Sequence, residues 1–241
     1  MLGRECHSNP PILNSSSGVG YVTNIAGLNS YVTGSPNAII LIILISDIFG
    51  YKAPLFREIA DKFAAKGGYR VYCPDMFNDD PFDPENENRP LPVWLEDHEP
   101  EKGFETVKPF IEALKSEGAS SIGAAGFCWG GKTVSDLSKS KLLVQTSVLL
   151  HPAYVEKDDI SAVEVPIAIL GAQNDTITPP STIKQFKQVL DAKPEVDSLV
   201  KIFPNVSHGW TVRYDTEDPE AVKAADKAHQ ITLHWFDKHL K

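Results

Sequence analysis

A chain of 241 residues, 42% hydrophobic and 23% charged, exceeds a typical domain of about 150 residues without reaching two, and its composition excludes a disordered, collagenous or coiled-coil protein. A formal net charge of −9 gives no general attraction to phosphate backbones, so no nucleic-acid partner is expected. Three cysteines are too few for a disulfide framework, and the longest apolar run, Ala38 to Ile45, falls far short of the roughly 20 residues that cross a bilayer; the expectation is a cytoplasmic protein with no membrane contact.

In chain order, Met1 to Pro11 lacks the apolar stretch of a secretory signal. Two short runs, Tyr21 to Ile25 and Leu28 to Val32, flank Ala26-Gly27 and predict a hairpin. The Ile/Leu run Ala38 to Ser46 predicts a strand covered on both faces, and Pro54 to Lys66 follows with apolar residues at helical spacing. A strand is predicted over Tyr69 to Cys73. Residues 78–101, rich in proline and acidic side chains, read as a loop insertion that serves as an active-site cover. The alternation then resumes: helix Gly103 to Glu117, strand Ser121 to Phe127, helix Gly130 to Ser138, strand Val144 to His151, strand Val165 to Leu170, helix Pro180 to Ala192, strand Leu199 to Phe203 and helix Pro219 to Leu240. This order predicts a single α/β domain over 1–241, with a mostly parallel central sheet flanked by helices on both faces and an N-terminal hairpin.

The segment Gly126-Phe127-Cys128-Trp129-Gly130-Gly131-Lys132-Thr133 satisfies two motifs. As G-x-x-x-x-G-K-T it is a phosphate-binding loop, but Phe127 and Trp129 are too bulky for a loop that closes on a phosphate, and it follows the third core strand instead of the first. As G-x-C-x-G it is a nucleophile elbow in which a thiol replaces the usual serine at a sharp strand-to-helix turn. Such a nucleophile needs a base and a carboxylate to orient that base, in the chain order nucleophile, acid, histidine. Asp175 follows the strand Val165 to Leu170, and His208 follows the strand Leu199 to Phe203, so both sit beyond strand carboxyl ends, where open α/β sheets keep their sites.

The chain resembles the dienelactone hydrolase family of the α/β-hydrolases, through Ser46-Asp47-Ile48-Phe49-Gly50, the Gly126 to Gly131 elbow, Gly171-Ala172-Gln173-Asn174-Asp175 and His208-Gly209-Trp210. The resemblance implies a Cys128, Asp175 and His208 triad, with the oxyanion held by the backbone N–H groups of Ile48 and Trp129. It also places Phe49 and Trp210 among the substrate-binding candidates. Bacterial members carry a glutamate at the position of Asp47 that takes part in thiol activation, so the resemblance gives Asp47 a role in gating or supporting the thiol. Those members also grip a substrate carboxylate with two arginines, for which the nearest residues here are Arg213, offset by one position, and Arg89.

Cys73, ending a strand, and Cys6, in an untethered N-terminus, read as structural. The seven histidines show no metal-ligand spacing, so neither metal nor cofactor is expected. The predicted function is hydrolysis of a small ester or lactone by a monomer or homodimer. Two alternatives remain at this level: a β-glucan glycoside hydrolase using acids such as Asp79, Asp80, Glu96 and Asp97, and a non-catalytic small-molecule-binding protein that keeps the elbow.

Overall fold

The computed structural model describes residues 8–241, so Cys6 lies outside the described residues. One sheet orders its strands β1 (Tyr21–Ile25), β2 (Leu28–Thr33), β4 (Arg70–Pro74), β3 (Ile40–Ile45), β5 (Ser121–Phe127), β6 (Thr146–Leu150), β7 (Ile167–Asn174) and β8 (Ser198–Ser207). Strands β3 to β8 are parallel, and the ribbon β1–β2 joins β4 in antiparallel pairing. The ribbon turns through Ala26 and Gly27, both at positive φ, as a two-residue hairpin requires.

Among the described residues seven α-helices complete the layers: α1 (Pro54–Gly67), α2 (Leu91–Asp97), α3 (Gly103–Ser116), α4 (Gly130–Leu137), α5 (Lys157–Ser161), α6 (Pro180–Asp191) and α7 (Pro219–Leu240). Strand β3 shows why the sheet is covered twice. Leu41, Ile43 and Ile45 point into a core shared with α3, α4, α5 and α6, while Ile42 and Leu44 point into a second core shared with α1 and α7. An apolar run without alternation is what a strand buried on both faces needs.

The segment 78–101 is more ordered than a loop: it contains α2 and leads into a 3₁₀ turn at Pro100–Lys102. Proline at the first helical turn is tolerated because the N–H it removes has no partner there, so Pro90 and Pro92 open α2 although they read as breakers. Helix α5 also escaped the sequence pattern, because its five residues bury only Asp159 and Ile160 and carry no apolar period. Strands β7 and β8 run on to Asn174 and Ser207, directly into the Asp175 and His208 turns.

Strand β3 has β4 on one side and β5 on the other, so its neighbouring connections leave in opposite directions. Such a reversal opens a crevice at the carboxyl ends of the strands. Ile48 follows β3 and Cys128 follows β5 at that crevice.

Candidate active site

Only Cys128 and Trp129 separate β5 from α4. Cys128 takes φ +50°, a left-handed conformation that costs a side-chain-bearing residue energy and recurs at functional turns. The turn is too tight for side chains at its flanks: a Cβ on Gly126 would lie 2.2 Å from the Gly130 carbonyl oxygen, and one on Gly130 would lie 2.3 Å from that of Ile45. The result is a fully buried thiol beside the N-terminus of α4, an end that favours negative charge.

The expected acid and base are in direct contact. His208 Nδ1 is 2.8 Å from Asp175 Oδ2, and both side chains are buried. The other oxygen of Asp175 accepts the backbone N–H groups of Ile177 at 2.8 Å and Thr178 at 3.0 Å, which fixes the carboxylate plane. The three loops share one support, the segment from Leu150 to Ala153 beyond β6. Cys128 N–H donates to the Leu150 carbonyl and Ala153 N–H donates to the Cys128 carbonyl, at 3.2 and 2.9 Å. Thr178 Oγ1 donates to the Pro152 carbonyl at 2.7 Å, and the His151 ring lies 5.1 Å from that of His208. Nothing in the sequence pattern marked His151, because a histidine ending an apolar strand looks like the strand's polar terminus.

The Ile48 turn is stitched to the elbow by Gly130 N–H, which donates to the Ser46 carbonyl at 3.2 Å. Asp47 shapes this turn, its Oδ1 accepting Phe49 N–H at 3.0 Å. Its Oδ2 is 3.2 Å from Arg213 Nε, and both side chains are at least 95% buried. Arg213 also donates to the Ser8 carbonyl at 2.5 Å and lies 5.4 Å from the Phe49 ring. Asp47 and Phe49, in one turn, and Arg213, far along the chain, therefore form one cluster. Trp210 is buried against Phe203 and His151, with ring centroids at 5.3 and 5.2 Å. A groove of about 600 Å³ runs past His208, Trp210 and Arg213, walled also by Lys201, Phe203 and Tyr214.

Arg89 sits differently from the other candidates. Its guanidinium is committed to Asp80 at 2.8 Å and Asp97 at 2.6 Å, so it braces the 78–101 segment. His98 Nε2 is 2.8 Å from Asp80 as well. Burial pushes the Asp80 carboxyl up, but the hydrogen bonds from His98 and Arg89 outweigh it and hold the group below the usual carboxylate range. The braced segment packs on Trp129, whose indole N–H donates to the His98 carbonyl at 2.9 Å and whose ring lies 4.8 Å from that of Phe77. Lys132, the lysine of the phosphate-loop reading, is ion-paired to Asp136 at 3.2 Å and Asp159 at 2.8 Å. Among the described residues no group of His, Cys, Asp and Glu is placed to hold a metal ion.

The model of the dienelactone hydrolase family matches residues 28–240. The chain belongs to the dienelactone hydrolase family. It is similar to a maize protein named Endo-1,3;1,4-beta-D-glucanase, at 44% identity over 170 residues that cover 70% of this chain; the match spans 54% of the maize protein's length. A human protein named Carboxymethylenebutenolidase homolog is 29% identical over 227 residues, covering 92% of both chains. Among solved structures, the dienelactone hydrolase from Anabaena variabilis superposes with a TM-score of 0.67 at 16% identity, covering 95% of this chain and all of that one. The Pyrococcus furiosus esterase Pf2001 gives 0.67 at 12% identity, covering 96% and 99%. At such identities the structures establish the fold, an α/β-hydrolase fold with a mostly parallel eight-stranded sheet. Among the described residues no helix is long and apolar enough to cross a membrane.

Proposed function

We propose that this member of the dienelactone hydrolase family is a cytosolic thiol hydrolase of small esters or lactones, with Cys128 as nucleophile, His208 as base and acid, and Asp175 as the carboxylate that orients His208. The 2.8 Å contact between His208 Nδ1 and Asp175 Oδ2, at the ends of adjacent strands β7 and β8, carries this reading. With Nδ1 engaged, Nε2 is the nitrogen that exchanges protons. It takes the thiol proton as sulfur attacks the acyl carbonyl, and returns it to the leaving alkoxide as the carbon–oxygen ester bond breaks. A thioester remains. Water, losing a proton to His208, attacks that thioester, and the carboxylic acid leaves as the thiol is restored. The backbone N–H groups of Ile48 and Trp129 receive the charge that develops on the carbonyl oxygen in both steps.

The name of the maize relative favours a second reading, glucan hydrolysis. That chemistry needs two carboxylates about 5–9.5 Å apart across a sugar cleft. Three acids considered for it are engaged elsewhere: Asp79 with Lys52, Asp80 with Arg89 and His98, and Asp97 with Arg89. Neither Cys73 nor Cys128 is in a disulfide, which supports the cytosolic placement. The deciding test compares hydrolysis of chromogenic esters and lactones with hydrolysis of mixed-linkage β-glucan, each by wild type and Cys128→Ala. Ester turnover that vanishes in the variant supports the thiol hydrolase. Glucan turnover that survives in it overturns the reading, and binding without turnover of any substrate favours the non-catalytic alternative.

A further inference from the structure

Directly beyond β6 lies a histidine that the proposed mechanism does not use. His151 is wholly buried and its backbone is left-handed, at φ +36°. A buried imidazole and a strained backbone at one residue are both unfavourable, so surrounding contacts must hold them in place. Those contacts lead to the histidine loop. His151 Nε2 is 2.7 Å from Thr211 Oγ1, three residues after His208, and its ring meets the His208 ring at 5.1 Å with the planes 67° apart. Phe127 and Trp210 close the other sides, at 6.1 and 5.2 Å. The Thr211 carbonyl is bonded in turn to His229 Nε2 of α7, at 2.9 Å.

We propose that His151 is a positioning residue for His208. Asp175 holds one nitrogen of the His208 ring, and the His151 ring packed across it restricts rotation about that contact. The bond from His151 to Thr211 fixes the distance between the end of β6 and the loop that carries His208. Because the elbow also hangs on this segment, through Leu150 and Ala153, a single short stretch of chain sets where the nucleophile and its base stand relative to each other. A leucine or phenylalanine would fill the volume without the polar link. Burial holds the His151 imidazole well below its ordinary value, and the Arg213 guanidinium acts in the same direction, so the ring stays neutral beside its catalytic neighbour.

This inference rests on the proposed thiol hydrolysis, and its test separates the two. His151→Phe, Thr211→Val and the double variant would be assayed on a chromogenic ester beside Cys128→Ala, with kcat, KM and melting temperature measured for each. Misplacing a catalytic group by about an ångström costs roughly 100-fold. The expected result is a fall in kcat of about 10- to 100-fold in both single variants with KM within about twofold, and no further fall in the double variant because both break one link. His151→Gln, which keeps a polar atom toward Thr211, should recover part of kcat. Thr211→Val preserves the side-chain shape and keeps the test valid if His151→Phe does not fold. Unchanged kcat in Thr211→Val and His151→Phe, with lower melting temperatures, would make His151 a packing residue and overturn the proposal. Full ester turnover by Cys128→Ala would instead remove the thiol mechanism itself.

Discussion

Cys73 and Cys128 are both fully buried thiols, and their surroundings differ in almost every other respect. Cys73 lies within the regular strand β4, paired in register with Tyr31 of β2, in the core under α1 and α7. Burial pushes its thiol well above the ordinary range. Cys128 lies one residue past the end of a strand, in left-handed backbone, at the entry to a helix, on the segment that also supports the His208 loop. Burial alone thus makes a thiol inert. In the proposed mechanism, reactivity comes from the turn that takes the residue out of the sheet and brings it to a helix terminus and a base.

The comparison breaks most visibly by substitution. Cys128→Ala should lower ester turnover by at least about 10⁴-fold, because the residual groups have no nucleophile to serve. Cys73→Ala should leave kcat within about twofold and lower stability by about 1–2 kcal/mol, as a small core deletion does; steady-state kinetics and denaturant melts measure both. Iodoacetamide followed by peptide mapping should find Cys128 modified before Cys73, with activity lost in parallel. Asp175→Asn asks how much of the difference comes from the base. Its shape is kept while the orienting charge goes, so kcat should fall about 10³- to 10⁴-fold with an unchanged circular dichroism spectrum.

A smaller effect sharpens the comparison at the neighbouring turn. Asp47→Ala leaves Arg213 buried without the carboxylate beside its Nε, and should cost about 3 kcal/mol in a denaturant titration. If the same variant also alkylates faster at Cys128, Asp47 gates the thiol in addition to anchoring Arg213. The remaining effects are in pH dependence. Burial takes His229 down to about 4, so between that value and the ordinary histidine range the unfolded chain binds the extra proton. Stability should therefore fall as pH falls through this window, by up to about 3 kcal/mol, and His229→Gln should flatten the limb. Cys73 acts at the opposite end: with its thiol raised, the unfolded chain ionises first, so stability is unaffected below the ordinary thiol range. Above it stability falls by about 1.4 kcal/mol per pH unit, a slope absent in Cys73→Ala.

Legibility followed distance along the chain. The elbow was readable because its glycines, thiol and flanking strand and helix lie within a dozen residues. Asp175 and His208 were readable because each follows an apolar strand, and the parallel pairing of β7 with β8 sets their turns side by side. The Asp47–Arg213 pair was not, since nothing local says that two charges so far apart will be buried against each other. Both residues entered the reading as candidates with separate roles, and the fold joins them. The pairing of Arg89 is local by contrast: its partners, Asp80 and Asp97, are near neighbours on the same segment. The short helices α2 and α5 offered too few apolar positions to set a period.

Burial of Cys128 has one more consequence, and it concerns timing. A sulfur with 0% of its residue exposed cannot be struck by a diffusing molecule in this arrangement, so every encounter waits for the neighbouring side chains to part. The apparent affinity for any acyl donor is then the intrinsic one multiplied by the fraction of time the entrance is open. That factor is the same for every donor that fits, yet falls to nothing for one wider than the opening. A hydrolase working through such a thiol would screen its donors by girth before any polar group has a chance to recognise them.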